Sequence, residues 1–309
     1  MITVKNLVKR YGDFIALDHF HLDIQEKEIF GLLGPNGSGK TTAINCILAL
    51  LQYDKGSIEL FGKPMAPNVY DIKKDIGVIM QNVAVFEELT VYENIDYFCG
   101  LYITDKTLRK QYVEDAIAFV SLQEFRNFRP KKLSGGLLRR LNIACGIAHK
   151  PKIILLDEPT IAVDPQSRNN ILEGIKKLNQ QGATIIYTSH YMDEVEYLCD
   201  RIGIMDKGKI IAMGTKEELK NMIALGETIE MQLEDCSADV LAQLNMLPFV
   251  SECSYQDGKL TLRCTKQEDN VIKLLNFLKQ QDLIPHWIHS EQPTLNDVFL
   301  EITGKQLRD

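Results

Sequence analysis

The chain has 309 residues, of which 45% are apolar and 25% charged, and its 35 basic and 42 acidic side chains leave a net charge of −7. That length exceeds one average domain, so a large domain followed by a smaller one is expected. The acidic balance argues against nucleic acid as the main partner, because phosphate backbones favour a basic face.

Residues 1–5 carry no apolar leader, and nowhere do about 18 apolar residues run together, so the expectation is an intracellular chain that does not cross a membrane unaided. Cys46, Cys99, Cys145, Cys199, Cys236, Cys253 and Cys264 are scattered without a C-x-x-C pair, which reads as reduced, mostly buried thiols.

In chain order, residues 2–4, 21–24 and 28–33 have strand character, and the apolar stretch 43–51 follows a glycine-rich turn as a helix. Residues 76–80 read as a strand ending before Gln81. From 91 to 148 the apolar period turns helical, with Ala116, Ile117, Phe119 and Val120 at helix spacing. Strands at 153–156, 184–188 and 202–205 then alternate with helices near 167–178 and 192–198, a pattern that predicts a parallel sheet covered on both faces. Lys207-Gly208-Lys209 reads as a hairpin turn and 216–223 as a closing helix.

Composition changes near Leu225-Gly226-Glu227. Beyond it, 228–233, 250–255 and 259–264 read as strands, the last two joined at Gln256-Asp257-Gly258, an Asp-Gly turn signal. Helices are expected at 238–244 and 270–280. His19 and His21 share a strand face, and His286 and His289 flank Trp287-Ile288. Neither pair has the Cys or carboxylate that completes a ligand set, so both read as surface strand residues.

Gly34-Pro35-Asn36-Gly37-Ser38-Gly39-Lys40-Thr41 fits G-x-x-x-x-G-K-[ST] between an apolar strand and a helix. Glycines allow a tight loop whose N–H groups face phosphates, Lys40 brings a positive charge to the β- and γ-phosphates, and the Thr41 hydroxyl is a ligand for Mg²⁺. Ile153-Ile154-Leu155-Leu156 delivers Asp157 and Glu158 to the carboxyl end of a buried strand, where ligands bind in open α/β sheets. Asp157 is placed to hold Mg²⁺, and Glu158 to polarise a water for attack on the γ-phosphate.

These motifs, together with Gln81, Leu133-Ser134-Gly135-Gly136, Asp164 and His190 in that order, resemble the ATP-binding cassette of ABC transporters over residues 2–222. Tyr11 is similar to the family's aromatic that stacks on adenine. The resemblance implies an α/β fold of the P-loop NTPase, ABC ATPase type: a mixed sheet core with an antiparallel β subdomain and a helical signature subdomain at about 88–150. The domain would span 1–224, with a small α+β accessory or dimerisation domain at 225–309.

The same resemblance implies ATP and Mg²⁺ as cofactors. Nucleotide contacts fall to Tyr11, Gly34, Pro35, Asn36, Gly37, Ser38, Gly39, Lys40, Thr41 and Thr42, metal contacts to Thr41, Gln81 and Asp157, and catalytic roles to Glu158, His190 and Gln81. Ser134, Gly135, Gly136 and Asp164 of one copy would complete the ATP site of a second, so a homodimer is implied. An integral membrane permease is the further partner, with no nucleic acid, and the place of work is the cytoplasm, peripheral on the inner face of the cell membrane.

The ending at 292–304 looks like that of single-cassette subunits serving separate permeases, many of them exporters of drugs, antibiotics, lipids or ions. Thr294 caps a helix with Leu295, Val298, Phe299 and Ile302 on one stripe, suited to docking on the chain's own small domain or on a dimer mate. Two departures from the family pattern stand out: Leu137, where many cassettes carry a polar residue, and the segment 160–164, which retains Asp164 but not the common residues before it. The competing reading is a nontransport cassette ATPase acting on nucleic acid or ribosomes, which would usually carry a second cassette or a long coiled-coil insertion. A third is a regulatory module that hydrolyses ATP poorly, hinted at only by Leu137.

Overall fold

The structure, a computed structural model, describes residues 1–161 and 163–304. Ala162, inside the segment 160–164, and residues 305–309 of the expected second domain lie outside the described residues. The chain divides into two units, Met1–Lys216 and Glu217–Gln306.

The first unit runs β1 (Ile2–Tyr11), β2 (Phe14–Ile24), β3 (Ile29–Leu33), α1 (Lys40–Ile47), β4 (Lys55–Leu60), β5 (Lys63–Pro64), α2 (Tyr70–Lys73), β6 (Ile76–Ile79), α3 (Val91–Gly100), α4 (Lys106–Phe119), α5 (Gly135–Ile147), β7 (Ile153–Asp157), α6 (Pro165–Gln180), β8 (Thr184–Ser189), α7 (Met192–Leu198), β9 (Arg201–Asp206) and β10 (Lys209–Gly214). Six strands form one sheet in the order β10-β9-β3-β8-β7-β6, parallel except for the edge strand β10. A second, antiparallel sheet has the order β2-β1-β4-β5.

Alternation along β3 decides what each sheet face meets. Phe30 and Leu32 join Ile44 and Ile47 of α1 and Leu7, Phe20 and Leu22 of the antiparallel sheet in one buried cluster. Gly31 points the other way, where α7 lies so near that an added Cβ would sit 2.8 Å from Val195 Cγ1. Both faces of the parallel sheet are thus covered, as the alternation of elements predicts. The helical insertion is built from α3, α4 and α5, the first two started by Thr90 and Asp105, whose side chains accept backbone N–H groups.

The longest departures from the sequence reading are in the antiparallel sheet. β1 continues to Tyr11 and β2 begins at Phe14, far beyond the short stretches at 2–4 and 21–24. Asn6 and His19 have φ of 51° and 53°, and the β1–β2 register shifts between Val4 and Leu7 and again between Leu7 and Lys9. Each bulge breaks the period-two alternation that marks a strand. β4 opens on exposed Lys55-Gly56-Ser57 and shows no apolar pattern until Ile58. α1 starts at Lys40 and stops at Ile47, upstream of the apolar run at 43–51, with Ala49 in a left-handed turn.

The second unit comprises α8 (Lys216–Asn221, which straddles the division), β11 (Leu225–Gln232), α9 (Ala238–Asn245), β12 (Val250–Gln256), β13 (Lys259–Thr265), α10 (Asn270–Gln280), β14 (Ile288–Glu291) and α11 (Leu295–Thr303). Its antiparallel sheet has the order β12-β13-β11-β14, the split βαβ arrangement of ferredoxin-like domains. Ile229, Met231, Leu260 and Leu262 from the sheet and Leu274 and Leu278 from α10 make its core.

The division falls upstream of the expected 224/225 boundary. Ala224 N donates to Glu301 Oε1 at 3.3 Å and Lys266 Nζ to Lys220 O at 3.5 Å, so the end of α8 and the residues after it are tied into the second unit. In α11, Thr294 and Asp297 form a reciprocal cap. Leu295, Val298 and Phe299 are buried, while Ile302 at the end of the stripe is exposed.

Turns follow their residues: Lys207-Gly208 and Asp257-Gly258 both have positive φ at their two central positions, the form that joins twisted hairpin strands. Leu262 is fully buried in the second unit. Leu262→Ala is expected to cost that unit about 2–5 kcal/mol. A urea titration followed by fluorescence of Trp287, the chain's single tryptophan, checks it as a fall in midpoint.

Candidate functional site

The parallel strands pair Leu33 with Ser189 and Asp157 with Thr188. Residues just past β3, β7 and β8 therefore emerge side by side at one sheet edge.

Past β3, the loop 34–39 turns into α1. Gly39 has φ 107°, and a Cβ there would be 2.7 Å from Ala16 O, so both conformation and space require glycine. Helices α3, α4, α5 and α6 each have a side-chain cap, from Thr90, Asp105, Ser134 and Asp164, whereas α1 has none. Its first N–H groups are left without a side-chain acceptor at the positive end of the helix dipole, an arrangement that favours an anion. Ser38 Oγ is also buried without a partner.

Lys40 is 6% exposed, with Nζ donating to Gly34 O at 2.7 Å and Pro35 O at 3.2 Å and lying 3.8 Å from Glu158 Oε1. Burial pushes its pKa down, while the carboxylates of Glu158 and Asp157 oppose the shift.

Past β7, Asp157 Oδ2 accepts from Thr41 Oγ1 at 3.0 Å and Oδ1 from Thr188 Oγ1 at 2.6 Å. Glu158 N donates to that same Thr188 hydroxyl oxygen at 3.0 Å. Glu158 itself has φ 47°, a left-handed backbone that costs a non-glycine residue on the order of 1–3 kcal/mol. Its Oε1 sits 3.4 Å from His190 Nδ1, past β8, so one carboxylate oxygen lies within reach of both Lys40 and His190. Beneath His190, the buried Glu194 Oε2 accepts from Thr160 Oγ1 at 2.8 Å, Tyr187 OH at 2.6 Å and Ser189 Oγ at 3.1 Å, and its Oε1 lies 3.2 Å from Arg168 Nε.

Tyr11, Asn36, Lys40, Thr41, Gln81 and Glu158 line one cleft. Gly37, Gly39 and Thr42 face it too. At its mouth Tyr11 pairs across the β1–β2 turn with Phe14, and the two rings are 51% and 63% exposed, a large apolar area for a turn. Such rings are suited to a flat heterocycle.

Ser134, Gly135, Gly136 and Asp164 are not on this cleft. Ser134 and Gly135 are exposed at the start of α5, and Ser134 Oγ accepts from Leu137 N at 3.3 Å. Gly136 packs on the first turn of α6, where an added Cβ would sit 2.5 Å from Ser167 Oγ and 3.1 Å from Asp164 Oδ2. Asp164 Oδ1 accepts from Ser167 N at 2.9 Å, which holds its carboxyl below the usual range. The sequence-predicted residues thus form two sets on one chain, one around the cleft that Lys40 lines and one at the start of α5 against α6.

Three neighbours of the site went unread in the sequence. Phe14 gives no motif, and Thr188 looks like one more residue of a buried strand. Arg139, 3% exposed, looks like half of a solvated Arg139-Arg140 pair, yet its guanidinium reaches four main-chain carbonyls. The one signal was its position three residues after Gly136, about one helical turn along the inward face.

A family model described as ABC transporter matches residues 17–161. The chain is 35% identical to the linearmycin resistance ATP-binding protein LnrL of Bacillus subtilis (strain 168), over 100% of both chains. It is 31% identical to the daunorubicin resistance ATP-binding protein DrrA3 of Streptomyces coeruleorubidus, over 99% of this chain and 97% of that protein. At 30% identity it matches the Nod factor export ATP-binding protein I of Ralstonia nicotianae, over 100% of this chain and 95% of the relative. Among solved structures, a dimeric post-hydrolysis state of the ATP-binding cassette MJ0796 bound to ADP and Pi superposes with a TM-score of 0.64 at 28% identity, covering 70% of this chain and 98% of that one.

The contact between Gly136 and α6 yields a direct check. Gly136→Ala is expected to destabilise the chain by about 1–3 kcal/mol through overpacking, and Ser167→Gly in the same chain should recover part of that loss in a thermal melt.

Proposed function

The chain belongs to the ABC transporter family, as an ATP-binding and ATP-hydrolysing subunit, and from that premise we propose that two copies pair head to tail around two ATP molecules and drive a separate membrane permease in export. The observation that carries the pairing is the separation of the two site sets. Neither Ser134 nor Gly135 lines the cleft that holds Lys40, yet both are exposed at a helix N-terminus suited to an anion.

In this reading the loop 34–39 and the uncapped α1 cradle the phosphates. Lys40 exchanges the carbonyls of Gly34 and Pro35 for phosphate oxygens, and Thr42 adds a donor at the helix start. Tyr11 stacks on the adenine. Thr41 and Asp157, whose oxygens lie 3.0 Å apart, hold Mg²⁺ with Gln81 at the rim, a fit to a cation that takes oxygen ligands. When bound, Mg²⁺ neutralises charge that develops on the phosphates. Glu158 accepts a proton from the attacking water while orienting it, and His190 holds that carboxylate and the γ-phosphate in line. Ser134, Gly135, Gly136 and Asp164 of the partner copy close the site.

Export is supported by the relatives' names, two of resistance proteins for linearmycin and daunorubicin and one of a Nod factor export protein. No helix among the described residues is long and apolar enough to cross a membrane. In this reading the permease is a distinct polypeptide, and the subunit works with it on the inner face of the cell membrane. The exposed Phe86 and Tyr97 rings, 4.9 Å apart just beyond Gln81, suit its docking.

Glu158→Gln is expected to form a dimer with ATP while losing turnover by about two orders of magnitude or more, read by light scattering and phosphate release. A monomer under saturating ATP sinks the head-to-tail reading, and undiminished turnover removes Glu158 from its role. Lys40→Ala should lose ATP binding in a titration calorimeter. Purification from membranes in mild detergent should bring a polytopic protein with the tagged chain.

A further inference from the structure

Arg139 is mounted on α5, three residues past Gly136, and its side chain runs under the ends of β6 and β7. Nη1 donates to Met80 O at 3.0 Å and Gln81 O at 2.8 Å. Nη2 donates to Glu158 O at 2.6 Å, and Nε to Pro159 O at 2.7 Å. All four acceptors are main-chain carbonyls, two on each of the loops that carry Gln81 and Glu158.

The Glu158 peptide is the strained one, with φ 47°, and it is gripped from both sides. Thr188 takes its N–H, and Arg139 takes its carbonyl. A planar guanidinium spreads its donors over two loops at once, which a lysine ammonium, a point charge with three donors, does not. Arg139 is also continuous with the signature: Gly136 faces α6 and Asp164, and one turn later the same helix presents Arg139 to the loops after β6 and β7.

We propose that Arg139 is a positioning residue for hydrolysis, fixing the Glu158 and Gln81 backbones to the signature helix so that movement of α5 at the dimer contact is passed to the Glu158 carboxylate. This rests on the reading of Glu158 as the group that orients water. Arg139 does not line the cleft around Lys40, so the binding loop there should be indifferent to its loss.

Arg139→Lys and Arg139→Met are compared with the wild-type chain for melting temperature, Kd for a non-hydrolysable ATP analogue, and kcat and KM. The expected result for Arg139→Lys is a Kd within about threefold of wild type, a kcat reduced by about tenfold to a hundredfold, and a melting temperature lowered by a few degrees, because carbonyls that the ammonium does not reach are left unpaired. Arg139→Met should lose more kcat. In the Glu158→Gln chain, Arg139→Lys should leave the residual turnover within about twofold, because the two act as one unit.

A kcat for Arg139→Lys equal to wild type overturns the proposal. So does a loss of kcat matched by an equal rise in Kd, or an equal further loss in the Glu158→Gln chain. If Arg139→Met fails to fold, Arg139→Lys still decides the matter. Undiminished turnover in Glu158→Gln alone instead removes the reading beneath it, and the proposal with it.

Discussion

Everything in the cleft depends on the register of β3, β8 and β7. Because Leu33 faces Ser189 and Asp157 faces Thr188, Gly34, Glu158 and His190 are delivered at one level. Apolar alternation does not set that register, since β3, β7 and β8 are buried on both faces along their whole length. Polar contacts at the strand ends set it. Thr184 Oγ1 accepts from Lys27 N at 2.8 Å, Asp200 Oδ2 from Ile29 N at 2.8 Å, and the Thr188 hydroxyl joins Asp157 to the Glu158 main chain. Each leaves a buried donor or acceptor unpaired if a strand slips, at about 1–3 kcal/mol apiece.

That geometry concentrates charge where water is scarce. Lys40 and Arg139 are both buried, and burial lowers the pKa of each while Asp157 and Glu158 resist the change. Desolvating such ions costs several kcal/mol each, and the left-handed Glu158 adds strain of its own. The compensation is local, through carbonyls and hydroxyls already aimed at these groups. If Glu158 orients the attacking water as proposed, strain held this way at a carboxylate between Lys40 and His190 is preorganisation, because the carboxylate is positioned before any substrate arrives.

The first unit was largely legible because its chemistry is carried by contiguous motifs and its sheet by apolar runs. The phosphate loop, Asp157-Glu158 and the alternation of strands and helices from 153 onward all stand in the sequence as local patterns. What escaped was of two kinds. Bulges at Asn6 and His19 disturb the two-residue period, so the long β1–β2 ribbon shrank to fragments, and with it went Phe14. Arg139 escaped because its meaning is tertiary: its four acceptors lie about 20 and 60 residues away in the chain, and no periodicity marks a charge that turns inward. In the second unit β11, β12, β13, α9 and α10 were visible as local patterns, but β14, with its four exposed residues, was not read as an element, and neither was the order β12-β13-β11-β14. Pairing between distant strands leaves no trace in local pattern.

Leu137 is the place where sequence and geometry speak most differently. A polar residue missing beside Ser134 suggests a weaker grip on a partner's phosphate. Yet the Leu137 main chain, not its side chain, does the local work, its N–H pairing with Ser134 Oγ at 3.3 Å. A serine hydroxyl has two lone pairs and one proton, so accepting that bond leaves its O–H free to donate outward. Capping α5 and donating to an anion are therefore compatible uses of one side chain. The backbone N–H groups of Gly135 and Gly136 are likewise set by the helix start rather than by residue 137. Leu137 offers no side-chain donor at the edge of the patch, while the inward end of the same helix, through Arg139, is fastened to the loops that carry Gln81 and Glu158.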